Sequence, residues 1–394
     1  MPPAVSDAGR RRPAVVAARP ERTKLKGSEN LLPKTMAAVL LTGHGGLEKL
    51  EYRTDVPVPR PKKGEVLIQV AAAGINNTDV NTRIGWYSKV ITSGTGEGGS
   101  AGFDTVDDAD ATWTGKALEF PRIQGADACG RIADVGEGVS RDRIGERVLV
   151  RNMLRTPVDY QPFACWTFGS ECDGGFAQFT VAPAAETYAV RSDWSDEELA
   201  AVPCAYSTAE NMMHRAAVGV ERVLVTGASG GVGLAAVQLA KRRGATVIAV
   251  CSASKAADVM AQGADQTVDR SADVISALGG GSVDVVIDLV GGPQVSRLLD
   301  LLRPGGRYAI AGAIGGPVAE IDLRTLYLKD VSVFGCTFQE DEVFENVIKY
   351  VERREVRPVV SRTYPLKAIA RAQEDFLTKR HLGKLVLIPP APTA

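Results

Sequence analysis

The chain has 394 residues, 45% apolar and 24% charged, with a net charge of −1. A single core stops growing below this length, so two domains are expected in a soluble globular protein. No apolar run reaches the roughly 18 residues that cross a bilayer, and six cysteines spread from Cys129 to Cys336 do not read as a disulfide framework, which points to a reduced, cytoplasmic protein.

Residues 1–34 hold eight Lys or Arg against three acids, which leaves 38 basic and 44 acidic groups on the rest. An acidic body gives no reason to expect nucleic-acid binding. The basic head alternates Ala, Pro and Arg and has no long apolar block after Arg10-Arg11-Arg12, against a secretory signal. A disordered tail is expected there, with a transit peptide or a basic contact arm as alternatives. Strands are then predicted at 36–41, 66–70, 130–135, 147–151 and 176–181, separated by glycine turns such as Gly136-Glu137-Gly138. Frequent turns between short strands describe a β-rich first domain. The stretch 88–118 stands apart, with six glycines and five acids in 31 residues. A loop that long is a lid or a disordered segment.

After Trp194 the texture changes. Ser195 followed by Asp196, Glu197 and Glu198 opens a helix. Strands at 223–226, 246–251, 284–290, 307–311 and 331–335 alternate with helices at 233–243, 256–263 and 295–302. This rhythm predicts an α/β domain with a doubly wound parallel sheet. Helices at 342–353 and 366–378 and a strand at 384–388 are expected to fold back onto the first domain. The predicted organisation is thus a catalytic domain from 35–194 and 337–394, carrying the 88–118 insertion, around a dinucleotide-binding domain at 195–336.

The run Val223-Leu224-Val225-Thr226-Gly227-Ala228-Ser229-Gly230-Gly231-Val232-Gly233 takes an apolar strand through a small-residue turn into a helix. Gly230 and Gly231 let a pyrophosphate approach the backbone, Gly233 permits tight helix–strand packing, and the helix N-terminus offers unpaired N–H groups. Ala228 and Val232 complete the candidate turn, and Gly312 joins it from beyond the strand at 307–311. The next strand ends in Cys251-Ser252-Ala253-Ser254-Lys255, without the acid that an NAD site uses on its ribose. Ser252, Ser254 and Lys255 suit an added 2′-phosphate, so the expected cofactor is NADP(H).

The order of parts resembles the medium-chain dehydrogenase/reductase superfamily. The likeness rests on Ala73-Gly74-Ile75-Asn76, Val135-Gly136-Glu137-Gly138-Val139, Gly145-Glu146-Arg147-Val148, Gly174-Gly175-Phe176-Ala177 and Leu302-Arg303-Pro304-Gly305-Gly306-Arg307. It implies a GroES-like catalytic domain plus a Rossmann domain, and a homodimer. Where zinc members of the superfamily hold their metal with Cys, His and Cys, this chain has Asn76, Ala126 and Cys204, so no metal is expected. Asn76-Asn77-Thr78-Asp79 followed by Gly85-Trp86-Tyr87 is similar to the quinone oxidoreductase and enoyl reductase branch. In that branch the resemblance places Asn76 by the nicotinamide, makes Tyr87 a proton donor and retains Asp79. It also makes Thr208 a cofactor contact and Arg270 a 2′-phosphate contact.

The implied activity is hydride transfer from NADPH to a small-molecule quinone or an activated C=C bond. The Asn76 amide and backbone N–H groups are candidate donors to the developing oxyanion, and Tyr87 or water returns the proton. Two alternatives are alcohol or aldehyde redox chemistry without zinc, and a cofactor-binding scaffold without catalysis.

Overall fold

The computed structural model describes residues 32–392, so nearly all of the basic segment expected as a disordered tail lies outside the described residues. The chain then runs through β1 (Thr35–Leu41), β2 (Leu50–Pro57), β3 (Glu65–Gly74), α1 (Asn77–Ile84), α2 (Thr95–Gly98), β4 (Arg122–Ile123), β5 (Cys129–Val135), β6 (Arg147–Val150), β7 (Met153–Leu154), β8 (Trp166–Thr167), β9 (Phe179–Pro183) and β10 (Thr187–Ala189). β3 is the spine of this β-rich part. Val66, Leu67 and Ile68 are fully buried, and β5 and β9 both pair with β3 antiparallel. Each such side chain taken out of water contributes about 1.5–3 kcal/mol. Gly85 ends α1 in the left-handed conformation (φ 69°), which turns the chain toward Trp86 and Tyr87.

α3 (Asp196–Leu199) and α4 (Pro203–Arg215) lead into alternating elements: β11 (Arg222–Val225), α5 (Gly231–Arg242), β12 (Thr246–Cys251), α6 (Ala256–Ala261), β13 (Gln266–Asp269), α7 (Val274–Leu278), β14 (Val283–Asp288), α8 (Val295–Leu301), β15 (Leu302–Ile310), α9 (Leu323–Leu328) and β16 (Ser332–Gly335). The six strands form one parallel sheet in the order β13-β12-β11-β14-β15-β16. The direction of winding reverses between β11 and β14, and a crevice opens beyond their carboxyl ends. The buried Asp288 carboxylate ties that point together. It accepts from Thr226 Oγ1 at 2.5 Å and from the N–H groups of Val290 at 2.9 Å and Gly291 at 3.1 Å, and Tyr308 also donates to it.

The last segment, α10 (Asp341–Glu352), β17 (Val360–Pro365), α11 (Ile369–Leu377) and β18 (Lys384–Ile388), returns to the first part, where β18 pairs antiparallel with β3. Sequence periodicity gives no warning of α4, because its buried residues, from Pro203 to Met213, lie all round it and leave no polar stripe. The 88–118 segment is fastened to α1 and to the turn that follows it. Thr95 Oγ1 donates to Asn81 Oδ1 at 2.9 Å, Trp86 Nε1 donates to Ser93 O at 2.9 Å, and the buried Arg83 donates to Gly99 O at 2.7 Å. Among the described residues no helix is long and apolar enough to cross a membrane.

Candidate active site

A cleft of about 640 Å³ lies between the turn after β11, the loop after β15, α1 and the segment before β18. Gly230, Gly231, Val232 and Gly233 line it at the start of α5, and Gly312 lines it from beyond β15. Ala228 is fully buried behind the turn, its N–H bonded to Val250 O at 3.1 Å. A Cβ at Gly233 would sit 2.2 Å from Gly227 O, and one at Gly231 would sit 2.7 Å from Lys384 Cδ, so neither position tolerates a side chain without movement. These residues fit a pyrophosphate at the N-terminus of α5, as expected of a nicotinamide dinucleotide site.

At the end of β12, the Ser252 and Ser254 hydroxyls are 3.3 Å apart. Lys255 Nζ donates to Lys379 O at 2.7 Å and His381 O at 2.6 Å, and lies 3.5 Å from Ser229 Oγ. Its ammonium therefore joins the phosphate turn to the segment before β18. Arg270 is exposed, and its positive charge helps to hold the Lys255 pKa below the ordinary lysine value, after the larger effect of burial. Asp269, on the neighbouring strand, is occupied by the N–H groups of Ala253 at 2.7 Å and Ser271 at 2.9 Å.

Deeper in, Asn76 is the hub of a buried polar cluster. Its Nδ2 donates to Asp127 Oδ2 at 2.8 Å and lies 3.4 Å from Gly74 O, while its Oδ1 accepts from Lys384 Nζ at 2.6 Å. Lys384 Nζ is also 2.7 Å from Asp127 Oδ2, and Asp127 Oδ1 accepts the Cys204 N–H at 2.6 Å. Both N–H groups of Asn76 are thus engaged, so in this arrangement the amide has no proton to offer an oxyanion. Asp79 does not line the cleft. Its Oδ2 accepts the Asn76 N–H at 2.7 Å and its Oδ1 accepts the Ala126 N–H at 3.2 Å, which braces α1 against the turn before β5. Burial raises the Asp79 pKa to about 7 against the pull of those hydrogen bonds.

The same cluster does not fit a catalytic zinc. Ala126 has no donor atom, burial pushes the Cys204 thiol up to about 12, and the Lys384 ammonium already neutralises Asp127. Among the described residues there is no group of three His, Cys, Asp or Glu side chains that could hold a metal ion.

Thr78 faces the cleft from α1. Its Oγ1 accepts two hydrogen bonds, from Tyr87 OH at 3.0 Å and from Trp113 Nε1 at 2.8 Å. The rings of Tyr87 and Trp113 lie 4.9 Å apart, and burial pushes the Tyr87 phenol well above its ordinary value. Trp86, Met153, Phe163 and Phe338 continue this apolar wall, while Thr208 lines the cleft beside Cys204.

Sequence reasoning missed Asp127, Lys384, Lys379 and Trp113. A signal existed for the first two: a lone acid in Gly125-Ala126-Asp127-Ala128-Cys129 and a lone base opening the apolar strand Lys384–Ile388 each require a partner once buried. Lys379 lines the cleft beside the phosphate turn, with its Nζ 3.1 Å from Asn77 Oδ1. Desolvation and the nearby Lys255 lower its pKa to about 7.

Comparison with known proteins places this architecture. Residues 62–192 match the alcohol dehydrogenase GroES-like domain, and residues 231–353 match the zinc-binding dehydrogenase domain. The chain is 30% identical to quinone oxidoreductase of Rattus norvegicus, over 90% of this chain and 98% of that one. It is 29% identical to acryloyl-coenzyme A reductase of Metallosphaera sedula, over 89% of this chain and 99% of the relative. A solved structure from Sinorhizobium meliloti 1021, named as a candidate alcohol dehydrogenase, superposes with a TM-score of 0.82 at 46% identity, covering 92% of this chain and 98% of that one. The chain is an oxidoreductase that belongs to the medium-chain dehydrogenase/reductase superfamily, in its quinone oxidoreductase-like branch.

Proposed function

We propose that the protein is an NADPH-dependent, zinc-independent reductase of quinones or of C=C bonds conjugated to a carbonyl. The observation that carries this reading is the Lys384–Asp127–Asn76 cluster, which puts a protein ammonium where a metal-dependent enzyme needs three ligands and an open position. The names of the quinone oxidoreductase and acryloyl-coenzyme A reductase relatives support the choice of acceptor. Alcohol or aldehyde redox chemistry is the second reading, favoured by the Sinorhizobium meliloti neighbour.

NADPH, when bound, supplies the hydride. Gly230, Gly231, Val232 and Gly233 hold its pyrophosphate, with Ala228 behind them and Lys379 as a counter-charge. Ser252, Ser254 and Arg270 meet the 2′-phosphate, and Lys255, its ammonium held by the Lys379 and His381 carbonyls, adds positive charge beside them, while Thr208, Gly312 and Asn76 border the nicotinamide. Asn76 and Asp79 act by positioning: the first keeps Lys384 and Asp127 in place, and the second fixes the start of α1. Thr78 is the group with a proton to give. Its oxygen already accepts from Tyr87 and Trp113, so its own O–H is left for the substrate oxygen, and two incoming hydrogen bonds strengthen it as a donor. Tyr87 stands behind Thr78 as the proton reserve, with water as its competitor. The six cysteines are free, which suits a cytoplasmic setting.

The homodimer is part of the proposal. β16 is the edge strand of the parallel sheet, and Leu323, Tyr327, Leu328 and Val333 are exposed on or beside it. An unpaired edge flanked by large apolar residues suits a second copy of the same surface. The activity is tested by following NADPH absorbance with a panel of 1,4-quinones, enones, enoyl thioesters and aldehydes, with and without chelator. Turnover of quinones or enones that survives the chelator is expected. Turnover confined to aldehydes, or abolished by the chelator, contradicts the reading.

A further inference from the structure

We propose that the outer end of the cleft, around Arg215, Phe163 and Phe338, is a substrate subsite that binds an anionic group carried by an otherwise apolar substrate. This rests on the reductase reading and deepens it.

Arg215 is the last residue of α4 and lines the cleft half-buried. Among the described residues its guanidinium has no carboxylate within ion-pair distance and no hydrogen-bond acceptor, although nearby bases are paired. His214 lies 3.4 Å from Glu342, while Arg151 and Arg155 lie 2.7 and 3.0 Å from Asp341. Capping α4 does not explain it either. The carbonyls at that helix end, Ala216 O and Ala217 O, are taken by Arg307 Nη1 at 2.7 and 3.0 Å.

The guanidinium stands 5.8 Å from the centre of the Phe163 ring, which packs on Phe338 at 5.2 Å. Phe163 is 73% exposed and holds a left-handed backbone (φ 60°), as do Asp159 (φ 51°) and Tyr160 (φ 53°) just before it. Three such residues in five positions cost strain, and they keep a large apolar ring in the open at the mouth of the cleft. The same cleft is lined by Met153, Trp113, Tyr87 and Trp86, an apolar wall, and by Thr78. One cleft therefore holds a proton donor, an apolar wall and, beside an exposed aromatic platform, a cation that is unpaired among the described residues. That set of surfaces matches an enone or enoyl body whose far end carries negative charge, which a guanidinium binds through two parallel hydrogen bonds. The anion can be a carboxylate of the substrate itself or a phosphate of a coenzyme A carrier.

Two matched pairs separate these sources. One is crotonyl-coenzyme A against crotonyl-N-acetylcysteamine; the other is a straight-chain enone against the same enone with a terminal carboxylate. For Arg215→Ala, the ratio of kcat/KM for the anionic member to that for the neutral member is expected to fall about 10- to 100-fold in one pair, as for loss of a charge-assisted hydrogen bond. Arg215→Lys should recover part of it. The pair that responds identifies the anion. An equal fall for both members, no fall in either pair, or a matching loss of NADPH affinity overturns the proposal. Titration calorimetry of coenzyme A and of hexanoate into the cofactor-saturated protein reads the subsite without turnover. Should the wild type reduce no acceptor in either pair, the reductase reading fails, and binding that weakens in Arg215→Ala upholds the anion site while binding that does not weaken, or is absent, overturns it.

Discussion

Thr78 and Tyr87 form a chain in series, because the phenol donates to the threonine, and the threonine lines the cleft and donates its own O–H to no acceptor among the described residues. Thr78→Val should lower kcat by about 100-fold, within the range for loss of a positioned proton donor. Tyr87→Phe should cost about 10-fold, and the double variant should match Thr78→Val alone, since residues acting as one unit do not add. Additive losses would show that Tyr87 reaches the substrate independently. Because its pKa lies above the ordinary value, Tyr87 stays protonated through the working range and should add no limb to the pH–rate profile. Lys379 should add one to cofactor binding. Its pKa of about 7 without an anion must rise when it pairs with a phosphate, so binding takes up a proton above pH 7. NADPH affinity should therefore be flat below pH 7 and weaken above it, by at most about tenfold per pH unit. Fluorescence titration across pH 6–9 measures this, and Lys379→Arg should flatten the curve.

In the proposed reading the end of β12 sets cofactor choice. Arg270 is exposed and makes no side-chain ion pair among the described residues, whereas Lys255 is held by the carbonyls of Lys379 and His381. Arg270→Ala should raise the KM for NADPH about 10-fold and leave the KM for NADH within twofold, as steady-state kinetics with both cofactors will show. Equal effects on the two would place Arg270 away from the 2′-phosphate. The strands and helices around this turn were legible because each carries its own pattern: Val223 to Val225 of β11 are a buried apolar run, and small residues lead from it into α5. The buried polar cluster and the wall around Thr78 were legible only in part. Asn76 and Tyr87 lie in short local motifs, but Lys384 reaches Asn76 across 308 positions and Trp113 reaches Thr78 across 35, and periodicity carries no record of such contacts. The 88–118 segment lacks periodicity, so its sequence alone suggests a lid or a disordered loop. Its order comes from hydrogen bonds to α1 and to Trp86 just after it, and from scattered buried residues such as Ile91, Ala111 and Leu118 that follow no period.

For the whole molecule, the neutral net charge hides a basic head on an acidic enzyme body, and length resolves into a β-rich part wrapped by the returning β18 beside a parallel sheet. β16 leaves the edge of the parallel sheet exposed. Sedimentation velocity should give a dimer for the wild type and a shift toward monomer for Leu328→Asp combined with Val333→Asp, with secondary structure retained by circular dichroism. A wild-type monomer at micromolar concentration would contradict that interface. The destination of the hydride separates reduction of a C=C bond from reduction of a carbonyl. NADPH deuterated at the transferred C4 position and an α,β-unsaturated ketone should give a saturated ketone with deuterium on the β-carbon, read by NMR. Deuterium on the carbonyl carbon of an allylic alcohol would contradict it.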